Sequence, residues 1–142
     1  MKGFTLIEVL IVTAFTALLL LFIVPTTLRF FQTQNLVDTT NTLIASLRNI
    51  QNQAVFQKND SDFGVKFSAN SYTLFQGSSY TSRTTSEDII ITIPSNVTIS
   101  GIDEIVFAKR TGFPNTTGIL LVQAASKEIS ISINNRGVIE LL

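Results

Sequence analysis

Glu8 is the only charged residue between positions 4 and 24, a run that is almost wholly apolar, and chemistry is expected there first. Twenty-one residues wound as a helix reach about 31 Å, the thickness of a bilayer's hydrocarbon layer. A carboxylate at that depth costs roughly 2.5–3.5 kcal/mol on insertion scales, so an acid inside such a run marks a function by default. It needs a cation, and the run offers none. A cut between Gly3 and Phe4 would supply one, the new amine of Phe4. Glu8 lies four residues on, about 6 Å along the helix axis. It can pair weakly with its own amine, or with that of a neighbour shifted by one turn. The second arrangement is a staggered, head-to-tail contact, and such contacts build open helical filaments.

Other reactive groups are few. The chain has no Cys and no His, which removes disulfides, thiolate chemistry, His-ligated zinc and the usual Ser-His or Cys-His nucleophiles. No phosphate loop or metal cluster is present, so no enzyme activity and no cofactor is expected. Asp60-Ser61-Asp62-Phe63-Gly64 has the alternating acids of a calcium loop, but Gly64 stands where a further oxygen ligand belongs. Asp60 and Asp62 are therefore weak metal candidates, and a solvated helix-to-strand turn accounts for them better. Lys109-Arg110 and Arg136 are the basic candidates for phosphate contact. Ten basic residues against ten acidic ones give no general pull toward nucleic acid. Three Asn-x-Ser/Thr sequons, at Asn59, Asn96 and Asn115, arise easily by chance in so polar a chain.

These groups must be positioned by a small set of elements. The apolar run has no good small-residue cleavage site after it for a secretory signal, and it is too long for a core helix of a small domain. A plain signal anchor fits the hydropathy. Lys2 and the initial amine precede the run, so positive charge stays cytoplasmic and the remainder is exported. Pro25 removes a helix hydrogen bond and disfavours helical geometry at Val24, so the helix should kink, loosen or break there.

Beyond it, residues 26–57 carry an apolar stripe at helical spacing. Leu36, Leu43, Leu47, Ile50 and Ala54 share one face, with Val37 and Ile44 beside them. That is an amphipathic helix lying on a globular partner. From residue 58 the period changes to two. Strands are expected at 63–67, 72–75, 88–93, 96–99, 104–108, 119–123, 127–133 and 138–142. They lie too close together for crossover helices, so the head should be an antiparallel sandwich or curled sheet. The fold class is α+β: one long helix, then an all-β head.

The segment Lys2-Gly3-Phe4-Thr5-Leu6-Ile7-Glu8 resembles the prepilin peptidase site of type IV pilins and secretion pseudopilins. That pattern is a short basic leader, Gly, Phe as first mature residue and Glu as fifth, then an apolar stretch of this length. Pro25 also falls where many of these subunits carry Pro. The resemblance implies cleavage after Gly3, N-methylation of Phe4 and neutralisation of a neighbour's amine by Glu8. It favours a continuous helix with a weak point at Pro25. The implied parts are leader 1–3, transmembrane assembly helix 4–25, amphipathic helix 26–57 and β head 58–142. Implied partners are the prepilin peptidase, other pilin subunits and the assembly platform of the cytoplasmic membrane, and the end state is an extracellular or periplasmic filament.

The order of helix and head is most similar to GspH/FimT-type minor pilins. Looser echoes are residues 48–55 closing the helix, Val106-Phe107 before Gly112, and a final strand pair hinged on Arg136-Gly137. The expected function is structural, as a minor pilin or pseudopilin. The alternative is a tip pilin that binds DNA or a surface. A C-terminal Gly-Arg-x-Arg run serves DNA in some relatives; here Val138 and Ile139 follow Gly137, which argues against nucleic acid as a partner.

Overall fold

In the computed structural model, residues 3–142 are described. Met1 and Lys2, the start of the expected leader, lie outside the described residues, as do the side chains of Phe22, Pro25 and Thr26. One helix, α1 (Leu6–Val55), contains 50 residues, a length of about 75 Å. Thr5 caps it: its backbone is extended (φ −81°, ψ 152°) and its Oγ1 accepts from the Glu8 amide at 3.3 Å. Further along, threonine hydroxyls fold back onto the helix. Thr13 donates to the Val9 carbonyl at 3.0 Å, and Thr27 to that of Ile23 at 2.9 Å. This satisfies each hydroxyl without solvent, as an apolar setting requires. α1 is continuous across position 25, so of the outcomes expected there, a break does not occur. It ends where Gln57 turns left-handed (φ 54°), leading into a short 3-10 turn, Lys58–Asp60.

Eight strands follow: β1 (Phe63–Ser68), β2 (Ser71–Gln76), β3 (Ile89–Thr92), β4 (Val97–Ser100), β5 (Glu104–Phe107), β6 (Gly118–Ala124), β7 (Lys127–Ile133) and β8 (Ile139–Leu141). They form two four-stranded antiparallel sheets, ordered β3-β2-β1-β5 and β4-β6-β7-β8. Hairpins make most of these pairings. The exceptions join distant segments, with Val65 opposite Ile105 and Ile99 opposite Val122.

The outer half of α1 touches strands of both sheets. Leu36, Leu43, Ile44, Leu47, Ile50 and Ala54 are buried there in one core with Val65, Phe107, Leu120, Val122 and Ile131. Val37, expected beside the stripe, is 38% exposed. The buried face instead includes Thr39, Thr40 and Ser46. Thr40 donates to the Leu36 carbonyl at 2.8 Å, and Ser46 shares a hydrogen bond of 3.1 Å with the Tyr72 hydroxyl. Burial pushes the Tyr72 phenol above its usual range, against a smaller opposing effect of that bond. The inner half of α1 carries no such partners, and every described side chain from Leu6 to Phe31 is exposed. Among the described residues, which leave out the side chains of Phe22, Pro25 and Thr26, no helix is long and apolar enough to cross a membrane.

Candidate functional site

The N-terminal residues stand clear of the head. Phe4 is 84% exposed and Leu6 83%. Gly3 has no atom within 4 Å of where a Cβ would sit. The Gly3–Phe4 bond therefore precedes the capped helix and is open to approach. Glu8 is exposed and makes no ion pair with any described residue. It sits in the first turn, where the helix dipole favours a carboxylate. Thr5 and Glu8 also have the spacing of a capping box, a signal legible in Thr5-Leu6-Ile7-Glu8. Among the described residues, no cation meets this carboxylate.

At the other end of α1, three loosely matched segments meet. The Gln51 Nε2 donates to the carbonyls of Gly112 (3.0 Å) and Gly137 (2.8 Å). Arg48 Nη2 donates to the Ile139 carbonyl at 3.3 Å, and the Arg110 amide to that of Ala54 at 3.0 Å. Gly112 (φ 65°) and Gly137 (φ 77°) both occupy left-handed backbone, and a Cβ on Gly137 would lie 2.3 Å from Gln51 Nε2. Glycine is needed at 137 for both conformation and space. One side-chain amide thus ties the β5–β6 connection and the β7–β8 turn to the helix.

Asp60 and Asp62, the acids of the calcium-like segment, are engaged by Lys109. Asp62 accepts from the Lys109 amide at 2.8 Å, and Lys109 Nζ lies 3.1 Å from Asp60 Oδ1. Among the described residues no cluster of His, Cys, Asp or Glu could hold a metal ion. The same contacts engage two of the three basic candidates, since Arg110 Nε donates to Gln57 at 3.1 Å. Arg136 is exposed on the turn beside Gly112. Of the sequon asparagines, Asn59 donates to Gln76 at 2.8 Å and Asn115 accepts from the Val106 amide at 2.8 Å. Asn35 donates to the Asn96 side chain at 2.9 Å. The long polar loop before β3 is ordered by Arg83, which donates to Asp88 at 2.8 Å and stacks 3.7 Å from the Tyr80 ring centre.

A long helix with a free apolar half and an outer half sunk into antiparallel sheets is the type IV pilin-like fold in its pseudopilin form. Two solved structures of the minor pseudopilin EpsH, from the type 2 secretion system of Vibrio cholerae, superpose on part of this chain. One superposes with a TM-score of 0.57 at 13% identity, covering 73% of this chain and 93% of that one. The other gives 0.59 at 12% identity, covering 77% and 94%. No family model matches the sequence, and no curated protein matches it significantly.

Proposed function

We propose that this chain is a structural subunit, a minor pilin or pseudopilin, of a type IV pilus-like or type II secretion-like filament. The observation that carries this reading is the division of α1. Its outer half is covered by the head, while every described side chain from Leu6 to Phe31 is bare. Bare apolar surface of that length requires a covering. In the precursor the covering is the bilayer, with residues 4–25 spanning it and the head outside the cytoplasm. In the filament it is the helices of neighbouring subunits. Residues 1–3 are the leader, removed by a prepilin peptidase after Gly3, and Phe4 becomes the N-methylated first residue. Glu8, which makes no ion pair with a described residue, meets the Phe4 amine of the next subunit. Pro25 is a local weak point in an otherwise continuous helix, and the assembly platform of the membrane draws the subunit into the filament.

The test is Glu8→Ala, expressed beside wild-type partner pilins and the peptidase. Losing one member of a buried ion pair costs roughly 3 to 5 kcal/mol, enough to lower incorporation at least about a hundredfold near equilibrium. Membrane levels should be unchanged while the variant disappears from sheared filaments. Intact mass of the membrane-extracted chain should show loss of Met1 to Gly3. Equal incorporation of variant and wild type refutes the Glu8 contact. Recovery of only the full-length precursor refutes the processing.

A further inference from the structure

Where the head comes closest to the bare half of α1, the β6–β7 hairpin reaches the helix. Ala125, Ser126 and Lys127 at its tip line a cleft of about 470 Å³ together with Arg29, Gln32 and Thr33 of α1. The register accounts for Lys127. It pairs with Ala124, whose side chain is buried toward the core, so both stand on the helix-facing side of the sheet. Gln123 and Glu128 pair on the other face and bond to each other at 2.9 Å. The acid next in sequence to Lys127 is thus turned away. On α1 the nearest acid, Asp38, is nine residues beyond Arg29, about 13 Å along the axis, and accepts from Gln34 at 3.3 Å. Neither Arg29 nor Lys127 makes an ion pair with a described residue. Two cationic residues line one cleft together with Gln32 and Ser126, whose side chains can donate, and no acidic residue lines it. That donor set suits a phosphate ester.

The depth of the cleft identifies the source. Arg29 follows Val24, the last residue of the apolar run, by five residues, or about 7.5 Å. The headgroup layer occupies about 5 to 7.5 Å on each side of the hydrocarbon. Around Arg29, Leu28, Phe30 and Phe31 are 58%, 66% and 59% exposed, an apolar and aromatic collar suited to the interface. We propose that the Arg29–Lys127 cleft binds the headgroup phosphate of an anionic phospholipid and seats the head on the exported face of the bilayer before assembly. The inference rests on the membrane span proposed above.

Full-length chain in nanodiscs of equal phosphatidylcholine and phosphatidylglycerol tests it, with the lipids that remain bound counted by native mass spectrometry. Two cations at an anionic surface are together worth roughly a 30-fold preference. Wild type should retain phosphatidylglycerol by about that factor, and Arg29→Gln/Lys127→Gln should retain both lipids equally. The charge-preserving Arg29→Lys/Lys127→Arg should keep the preference. Equal retention by wild type and the glutamine variant overturns the proposal. So does retention of inorganic phosphate in its place from phosphatidylcholine discs. Loss of the glutamine variant from filaments with its lipid preference intact would assign the cleft to a neighbouring subunit's acid, and also overturns it. Resistance to alkaline carbonate extraction reports the span separately: a chain that is extracted refutes the membrane reading, whereas an inserted chain without lipid preference refutes the cleft alone.

Discussion

Gln51→Leu should loosen the head without touching its apolar core. Gln51 gives two hydrogen bonds, at 3.0 and 2.8 Å, to backbone carbonyls of two separate loops. A hydrogen bond contributes about 0.5–1.5 kcal/mol net, so the pair is worth about 2 kcal/mol. For a folded unit of roughly 110 residues this corresponds to a fall of roughly 8 °C in Tm. Both partners are acceptors, so only the amide nitrogen can face them. Gln51→Glu, which has no donor at neutral pH, should therefore cost at least as much as Gln51→Leu. Gly137→Ala attacks the same junction from the other side, placing a Cβ 2.3 Å from Gln51 Nε2 and 2.7 Å from the Gly112 carbonyl oxygen. Left-handed backbone adds about 1–2 kcal/mol for a residue with a Cβ. Because both substitutions break the same bonds, their combined cost should be less than the sum. Urea unfolding of the detergent-solubilised chain, followed by fluorescence of its two tyrosines with no Trp to mask them, measures all four variants. Wild-type stability in Gln51→Glu, or strict additivity of Gln51→Leu with Gly137→Ala, would refute the two-loop tie.

Two further outcomes follow from the core. A chain beginning at Arg29 should fold and melt cooperatively, whereas one beginning at Asp60 should aggregate. The latter lacks Leu36, Leu43, Leu47, Ile50 and Ala54, each no more than 3% exposed. At about 1.5–3 kcal/mol for each large side chain, the loss matches a typical total stability of 5–15 kcal/mol, and comparable solubility and melting of both chains would contradict the packing. The raised phenol of Tyr72 also makes stability depend on alkaline pH. An unfolded tyrosine releases its proton near pH 10, before the folded one does, so stability is full below about pH 10 and falls as pH rises above it. Urea midpoints measured from pH 8 to 11 should decline more steeply for wild type than for Tyr72→Phe, and parallel declines would remove Tyr72 as the cause.

The helix-then-strands order was legible because its signals are local. The buried stripe from Leu36 to Ala54 follows from a 3.6-residue period, and β7 (Lys127–Ile133) has the bounds that alternation predicts. Local pattern could not divide the strands between two sheets, because the β1–β5 and β4–β6 pairings join distant segments. Val37 lies on the rim of the stripe, and Ile89 and Ile90 of β3 are 56% and 68% exposed on an edge strand. At the N-terminus the motif identified Gly3, Phe4 and Glu8 as a set, and the helix places them beyond the head where they are open to approach. The Thr5 cap was legible too, in the capping-box spacing. The Gln51 tie was not, since a glutamine on a helix surface gives no sign of which carbonyls it will meet. The opposed engagement of Asp60 and Asp62 by Lys109 was equally hidden, being a contact between segments far apart in the chain.

The seating of α1 in both sheets sets how the head responds to force. A pull on the bare half travels along the helix axis and enters the head as shear. For the helix to slip by one turn, about 5.4 Å, Leu36, Leu43, Ile44, Leu47, Ile50 and Ala54 must leave their places together, with the Gln51 and Arg48 bonds. Peeling them one at a time would require a pull across the axis. A pull along α1 thus meets the head in its strongest direction, and the head follows as a rigid body.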